Sequence, residues 1–157
     1  MENLAEKLVS ALEAKGWSVA TAESCTGGWV SGAIVSVPGS SSVINASIVT
    51  YSNESKAKFV GVSQENLKNF GAVSQQVAEQ MASGVAKLFD ANIGISVTGI
   101  AGPGGATPQK PLGTVWFGFY INGTTHTFHK LFENATRNEV RNKSVQFALS
   151  KTLELIS

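Results

Sequence analysis

The spacing of apolar residues changes several times along the chain between helical and strand-like patterns. A first helix of about 14 residues is predicted from apolar residues three and four positions apart. These residues are Leu4, Leu8, Ala11 and Leu12. Gly16 follows them and predicts the end of this helix. The run from Trp17 to Thr21 then predicts a first, short strand.

The next predicted elements lie on both sides of a turn and lead to a lysine. Apolar residues recur at helical spacing from Trp29 to Val37, until a Pro-Gly pair ends the second predicted helix. Val43 to Tyr51 is rich in β-branched residues and predicts a second strand. Ser52 begins a group of capping residues, so a short third helix is predicted to carry Lys56 in its first turns.

The middle of the chain combines two further helices with a buried strand. A weak helix is predicted after Ser63, and Ser74 is a good N-cap for a longer amphipathic helix. Ile93 to Thr98 is a nearly continuous apolar run, which is typical of a central strand buried on both faces. Residues 99–108 are too rich in Gly and Pro to be regular and must form a loop.

The last third of the chain carries the clearest local signal. Two strand-like runs, at residues 113–121 and 124–132, flank Asn122-Gly123, a strong indication of a β-hairpin. Residues 134–136 then favour the start of a final amphipathic helix. This order of elements predicts a three-layer α/β/α domain around a mixed sheet with a late β-hairpin.

Length and composition favour one domain with a buried core. The chain has 157 residues, of which 43% are hydrophobic and 15% charged, so we expect residues 1–157 to form a single domain. Its net charge is +1 without a basic block, which argues against nucleic acid as a partner. Because the sequence has no membrane-spanning run, no signal peptide pattern and a single cysteine, we expect no membrane partner and a cytoplasmic location.

Scarce residue types exclude several kinds of catalytic site. The only aspartate is Asp90, and the only histidines are His126 and His129. A Ser-His-Asp triad or a carboxylate-rich metal site therefore has few residues to draw on. The glutamates are scattered singly, so no metal site is predicted.

The loop at residues 23–28 could place a nucleophile beside backbone N–H donors. Ser24 is followed by Thr26 and by paired glycines, Gly27 and Gly28, just before a predicted helix. Backbone N–H groups at a helix start can hold a phosphate or the oxyanion of an acyl intermediate. The alternative is that these hydroxyl residues only cap the helix.

A serine nucleophile needs a base, and Lys56 is the leading candidate. It follows the strand that ends at Tyr51, so it could lie at the same end of the sheet as Ser24. A lysine acts as a base only if its pKa is lowered, which requires shielding from water. Otherwise Lys56 is a solvated helix charge like Lys58. Tyr51 could relay a proton or orient Lys56, or it could only pack.

Two further groups could act as a rival nucleophile or bind a ligand. Cys25 is the rival nucleophile, or else a small buried apolar residue. In the later Gly-rich loop, Gly99 and Gly102 allow a ligand to approach closely and Thr98 could donate its hydroxyl, although the loop lacks the spacing of dinucleotide or phosphate loops. Arg137 lies one helical turn before Arg141, so the pair could bind a phosphate or form a solvated face.

Five strings of the sequence resemble the CinA C-terminal domain family, which comprises nicotinamide-nucleotide amidases. They occur in the same order as in that family and span nearly the whole chain. They are Thr21-Ala-Glu-Ser-Cys-Thr-Gly-Gly, Val49-Thr-Tyr-Ser-Asn, Gly71-Ala-Val-Ser, Thr98-Gly-Ile-Ala-Gly-Pro and Gly113-Thr-Val-Trp-Phe.

The resemblance implies hydrolysis of nicotinamide mononucleotide to nicotinic acid mononucleotide and ammonia, a step of pyridine nucleotide salvage. It implies Ser24 as the nucleophile and Lys56 as its partner, with no metal or organic cofactor. Many relatives carry an additional N-terminal domain, and we expect its activity to be absent here. The segment before Arg137 lacks the Gly-Asp-Arg common in relatives, which leaves the phosphate role of this arginine open.

Two other functions stay open at this point. Both Gly-rich loops could serve a nucleotide-binding regulatory module without catalysis, or Cys25 could be the nucleophile of a cysteine-dependent amidase. The apolar helices also allow a homodimer. The distance between Ser24 Oγ and Lys56 Nζ, together with the burial of that amine, separates these hypotheses best.

Overall fold

A computed structural model describes residues 2–157 of the protein. The helices are α1 (Glu2–Lys15), α2 (Trp29–Val35), α3 (Asn53–Val60), α4 (Gln64–Phe70), α5 (Gln75–Leu88) and α6 (Arg137–Ile156). The strands are β1 (Val19–Glu23), β2 (Ile48–Val49), β3 (Ile93–Gly99), β4 (Thr114–Ile121) and β5 (Thr124–Leu131). Among these residues, no helix is both long enough and apolar enough to cross a membrane.

The strands form one mixed sheet in the order β2-β1-β3-β4-β5. β1 pairs in parallel with β2 and with β3, whereas the pairs β3–β4 and β4–β5 are antiparallel. β3 is therefore central, and its residues from Ile93 to Thr98 are all buried. The predicted mixed sheet, its buried central strand and the late hairpin are confirmed.

Helices cover both faces of the sheet, which confirms the predicted α/β/α layers. α1, α2 and α6 pack on one face, around a core that includes Leu8, Ile34 and Leu149. α3, α4 and α5 form the other layer, with Val60 and Met81 in its core. α5 approaches the sheet very closely, since a Cβ added at Gly118 would lie 2.4 Å from the Ala78 carbonyl oxygen.

The predicted helix starts are confirmed by capping hydrogen bonds. Ser52 Oγ accepts from the Ser55 amide at the start of α3, and Ser63 and Ser74 cap α4 and α5 in the same way. Thr136 and Glu139 form a reciprocal capping box at the start of α6. These local signals fix where each helix begins.

Two strand predictions were wrong in their bounds. β1 begins at Val19 rather than Trp17 and runs on to Glu23, and only Ile48–Val49 of the predicted strand at residues 43–51 pairs with it. Val43 and Ile44 are buried in the core without joining the ladder, except for one isolated bridge from Ile44 to Val19. Their apolar character therefore reflects burial and not strand pairing.

The parallel part of the sheet brings three chain segments together at one edge. β1 leads into the turn that starts at Ser24, β2 leads towards α3, and β3 leads into the loop after Gly99. Because parallel strands end at the same side of a sheet, this edge is where a ligand site is expected.

Candidate active site

Ser24 occupies the first position after β1. Its amide donates to the Val97 carbonyl at 2.9 Å, which extends the pairing of β1 with β3 by one residue. Its carbonyl accepts from the Gly27 amide at 3.1 Å and so closes a tight turn. The Gly27 backbone has a positive φ of 57°, which glycine adopts without steric cost. The hydroxyl is thus presented on a short, hydrogen-bonded turn.

Lys56 lies in the first turns of α3, and its side chain reaches the Ser24 turn. Only 1% of the residue is exposed, and Nζ lies 3.1 Å from Ser24 Oγ. No carboxylate of the described residues lies within ion-pair distance of this amine. Burial lowers the pKa of Lys56 from its ordinary 10.5 to about 8. The requirement that this lysine be shielded from water is met.

Two main-chain carbonyls hold the amine in place. Nζ donates to the Thr50 carbonyl at 2.6 Å, and the Tyr51 carbonyl lies 3.4 Å away. A neutral amine has two N–H bonds and one lone pair. If those bonds point at the two carbonyls, the lone pair faces Ser24 Oγ, which suits a base for that hydroxyl.

Tyr51 meets Arg137 at the mouth of the site. The Tyr51 side chain is 64% exposed, and its hydroxyl accepts from Arg137 Nη2 at 3.3 Å. Arg137 Nη1 also donates to the Gly102 carbonyl at 2.7 Å. The Tyr51 hydroxyl makes no hydrogen bond to Lys56, so this tyrosine contacts the amine only through its carbonyl.

The loop after β3 forms the opposite wall. The Thr98 side chain is buried and donates to the Ala72 carbonyl at 2.9 Å. Four residues of this loop have amides that make no hydrogen bond within the described part of the chain. They are Ala101, Gly102, Gly104 and Gly105. Such unpaired amides are available to a ligand.

An open cavity of about 290 Å³ joins these groups. Ser24, Lys56 and Tyr51 line it together with Cys25. The remaining predicted residues that line it are Thr98, Gly99, Gly102 and Arg137. Thr26, Gly27 and Gly28 do not, so the structure leaves these three predicted binding residues outside the cavity.

Two of those residues, Thr26 and Gly28, instead bind Glu23, a residue that the sequence did not mark as functional. Glu23 is fully buried, and its carboxylate accepts from the Thr26 hydroxyl and from the amide of Gly28. The amides of Val30 and Ser31 also donate to it, at 2.9 Å each. The protein's own carboxylate therefore occupies the N-terminus of α2, and the Gly27 amide is bound to Ser24. The oxyanion donors predicted at Gly27 and Gly28 are already used.

One free donor lies next to Ser24. The amide of Cys25, a residue that lines the cavity, makes no hydrogen bond within the described residues, whereas Thr26 is fully buried. Burial raises the pKa of the Cys25 thiol from 9.0 to about 12, so the thiol stays protonated near neutral pH. A protonated thiol is a poor nucleophile, which disfavours Cys25 in that role.

Arg141 is separated from the cavity that Arg137 lines. Its Nε donates to the Cys25 carbonyl at 2.9 Å and its Nη2 to the Thr26 carbonyl at 3.3 Å. Its guanidinium carbon lies 3.5 Å from the centre of the Trp29 ring. The two arginines on α6 therefore do not share a ligand site.

Comparisons with known proteins cover almost the whole chain. The CinA C-terminal domain family matches residues 1–156. A CinA-like protein of Kosmotoga olearia is 50% identical over 148 residues, which are 94% of this chain and 36% of that protein. The chain thus spans about a third of the length of this curated relative.

Solved structures agree with the fold. The competence/damage inducible protein CihA from Agrobacterium tumefaciens is 40% identical, with a TM-score of 0.97 over 99% of this chain and 95% of that chain. A competence-damaged protein superfamily protein from Escherichia coli is 37% identical, with a TM-score of 0.95 over 98% of this chain and 89% of that one.

Proposed function

The chain belongs to the CinA C-terminal domain family, and on that premise we propose that it hydrolyses the carboxamide of nicotinamide mononucleotide. The products are nicotinic acid mononucleotide and ammonia. The reaction needs a nucleophile, a base and an oxyanion site, and the cavity offers a candidate for each. Ser24 is the nucleophile and Lys56 is the base.

One observation carries this proposal. A buried lysine that has no carboxylate partner among the described residues lies 3.1 Å from a serine hydroxyl, and burial lowers its pKa to about 8. A site that only binds a ligand gains nothing from burying a lysine amine beside a hydroxyl without a carboxylate, because burial of the charged amine is unfavourable. A Ser-Lys amidase requires this arrangement.

The first half of the reaction acylates Ser24. Lys56 Nζ accepts the hydroxyl proton while Ser24 Oγ attacks the carboxamide carbon. The carbonyl oxygen becomes an oxyanion, which the free amide of Cys25 stabilises. Lys56 then returns the proton to the amide nitrogen, the C–N bond breaks and ammonia leaves.

The second half of the reaction restores the enzyme. The neutral amine of Lys56 takes a proton from a water molecule, whose oxygen attacks the acyl carbon. Collapse of this second oxyanion breaks the bond to Ser24 Oγ, which regains its proton from Lys56. The same amine thus acts as base and acid in both halves.

The phosphate of the nucleotide needs partners at the mouth of the cavity. Arg137 is the exposed cation there, and the amides of Ala101, Gly102, Gly104 and Gly105 make no hydrogen bond within the part of the chain that the structure describes. Guanidinium and loop amides are common phosphate ligands. Tyr51 then contributes to binding through its bond to Arg137.

The direct experiment is to incubate the purified protein with nicotinamide mononucleotide and to measure ammonia together with the mass of the product. We expect ammonia and nicotinic acid mononucleotide in equal amounts. Ser24→Ala should abolish turnover, whereas Cys25→Ala should lower it far less. Binding of the nucleotide without release of ammonia would instead support a regulatory module, and loss of activity only in Cys25→Ala would support a cysteine-dependent amidase.

A further inference from the structure

The cavity around Ser24 is lined by basic side chains and by no acidic one. Among the described residues that line it, Lys56 and Arg137 are basic and none is an aspartate or a glutamate. Lys56 is 1% exposed, and no carboxylate in the described part of the chain lies within ion-pair distance of its amine. When this amine is protonated, it is therefore a buried positive charge without an anion, which is unfavourable.

The protonated amine of Lys56 has one N–H bond left for a ligand. An ammonium group has three N–H bonds. Two of them are used by the carbonyls of Thr50 and Tyr51, at 2.6 and 3.4 Å. The third points towards Ser24 Oγ, at 3.1 Å, and so towards the space in which the acyl group is formed and cleaved. A carboxylate in that space can accept this third bond.

The other titratable groups near Lys56 are protonated, bound elsewhere or exposed. The Cys25 thiol stays protonated, because burial raises its pKa to about 12. The Glu23 carboxylate faces α2, whose first amides bind it. Tyr51 and Arg137 bind each other at the mouth of the cavity. The remaining charged side chains of α3, and those of α5, which packs on α3, are exposed; they are Glu54, Lys58, Glu79 and Lys87. None of these described groups supplies Lys56 with an anion.

The last step of the proposed hydrolysis forms an anion beside this amine. The water that Lys56 activates lies within hydrogen-bond distance of Nζ, and its oxygen becomes an oxygen of the product. When the bond to Ser24 Oγ breaks and Ser24 regains its proton from Lys56, a neutral carboxylic acid lies beside a neutral amine. A carboxylic acid has a pKa of roughly 4, whereas the pKa of Lys56 is about 8. The proton of the acid therefore moves to Nζ and leaves a carboxylate facing an ammonium group.

We infer that protonated Lys56 binds the carboxylate of the acid product, so that the reaction forms its own inhibitor. This inference rests on the proposed function and deepens it. The ion pair gives the amine the partner that the described chain does not supply, whereas the carboxamide of the substrate is uncharged and gains no such pair. An amine held in this pair has no lone pair to offer Ser24, so the next turnover begins only after the acid has left.

Binding to Ser24→Ala compares the acid with the amide in the absence of turnover. Nicotinic acid mononucleotide should bind roughly 10- to 100-fold more tightly than nicotinamide mononucleotide at pH 7, which is the usual effect of a charge-assisted pair. The ratio of the two affinities should fall towards one at pH 10, because Lys56 is then mostly neutral in the free protein.

Two double variants assign this preference to one amine. Adding Lys56→Met to Ser24→Ala should bring the ratio of affinities to about one at both pH values. The matched control adds Lys58→Met, an exposed lysine of the same helix, and should keep the ratio of Ser24→Ala. An acid that binds no more tightly than the amide at pH 7 would overturn the inference, as would a preference for the acid that survives Lys56→Met.

Proton uptake by the wild-type protein tests the same ion pair without any variant. The pair raises the pKa of Lys56, so binding of the acid should take up roughly 0.9 proton at pH 9 and roughly 0.1 at pH 7. Calorimetry in buffers of different ionisation enthalpy measures both values. Binding of the acid at pH 9 with no proton uptake would contradict the inference.

The two kinds of measurement separate this inference from the proposed substrate. Proton uptake with the acid, in a protein that releases no ammonia from the amide, would refute the substrate and keep the binding of a carboxylate by Lys56. Ammonia release, in a protein that binds the acid with no proton uptake, would refute the inference and keep the substrate. If both hold, the acid should inhibit ammonia release competitively, with an inhibition constant that rises up to tenfold per pH unit above pH 8.

Discussion

The two glycine-rich loops of the protein, residues 24–28 after β1 and residues 100–113 after β3, resemble each other in composition but differ in their hydrogen bonds. In the first loop, the amides of Gly27 and Gly28 are bound to Ser24 and Glu23. In the second, the amides from Ala101 to Gly105 that can donate have no partner within the described residues.

The hydrogen bonds of each loop determine what it can do. A loop whose groups are bound internally can hold a reacting atom in one geometry, which a nucleophile and its oxyanion site require. A loop with free amides can adapt to the charge and shape of a ligand. We therefore assign turnover to the first loop and affinity to the second.

The largest effect is expected for Ser24→Ala. Removing the nucleophile of a serine hydrolase can lower kcat by roughly 10⁶. We expect ammonia release to fall by several orders of magnitude, while the thermal unfolding transition changes little because the hydroxyl is not part of the core. Ammonia assays and calorimetry on the same samples check this prediction. A folded variant that keeps even a tenth of the activity would show that Ser24 is not the nucleophile.

The next largest effect is expected for Lys56→Met. Loss of general acid-base catalysis lowers turnover roughly 10²- to 10⁴-fold, and Lys58→Met on the same helix is the matched control. Because the folded pKa of about 8 lies below the ordinary 10.5, the unfolded chain binds more protons between these values. The wild-type free energy of unfolding should therefore rise with pH over that window.

Urea unfolding at several pH values measures this second effect. The stability difference between Lys56→Met and the wild type should shift in favour of the wild type as the pH rises through that window. A difference that stays constant with pH would mean that burial does not lower the pKa of Lys56.

The pH dependence of the reaction should give an effect of nearly a hundredfold. With a pKa of about 8, roughly 1% of Lys56 is neutral at pH 6 and roughly 90% at pH 9. We expect kcat to rise across this range and to level off above pH 9. Steady-state rates in overlapping buffers check the profile. A rate that falls over this range would require a protonated Lys56 and would contradict its role as a base.

Arg137→Met should act on affinity and not on turnover. Loss of a charge-assisted pair costs roughly 1.5 to 3 kcal/mol, so KM for the mononucleotide should rise roughly 10- to 100-fold. The exposed Lys143→Met on the same helix is the matched control. KM for nicotinamide riboside, which lacks the phosphate, should change little in Arg137→Met. An equal rise in KM for both substrates would show that Arg137 does not bind the phosphate.

The smallest effects come from a pair of alanine substitutions, one in each loop. Gly27 and Gly102 both have positive φ, so each alanine costs roughly 1 to 2 kcal/mol of stability. A Cβ at Gly27 would lie 3.3 Å from Arg141 Nη2, whereas one at Gly102 would meet Leu112 at 3.2 Å. We expect Gly27→Ala to lower kcat a few-fold and Gly102→Ala to raise KM a few-fold. A rise in KM for Gly27→Ala together with a fall in kcat for Gly102→Ala would refute the division between the loops.

The sequence predicted the parts of the fold that depend on local signals. Ser52, Ser63 and Ser74 begin helices because their side chains satisfy free amides at the helix start, and Asn122-Gly123 fits the tight hairpin turn. The bounds of β2 were missed because buried Val43 and Ile44 look like strand residues although they do not pair.

Within the site, the sequence could place Ser24 and Lys56 at one end of the sheet, since both follow parallel strands. It could not reveal the role of Glu23, because a buried carboxylate at the end of a strand is unfavourable until the amides of α2 bind it. Nor could it reveal the contacts of Arg141, whose partners lie more than a hundred residues away. Such contacts depend on the folded chain.

The central claim is that Lys56 is partly neutral at physiological pH and accepts the proton of Ser24. NMR titration of the lysine side-chain carbons, with Lys56→Met used to assign the signal, measures this pKa directly. We expect a midpoint near pH 8 for Lys56. A midpoint near the ordinary 10.5 would mean that the amine stays charged beside Ser24, and it would contradict the proposed mechanism.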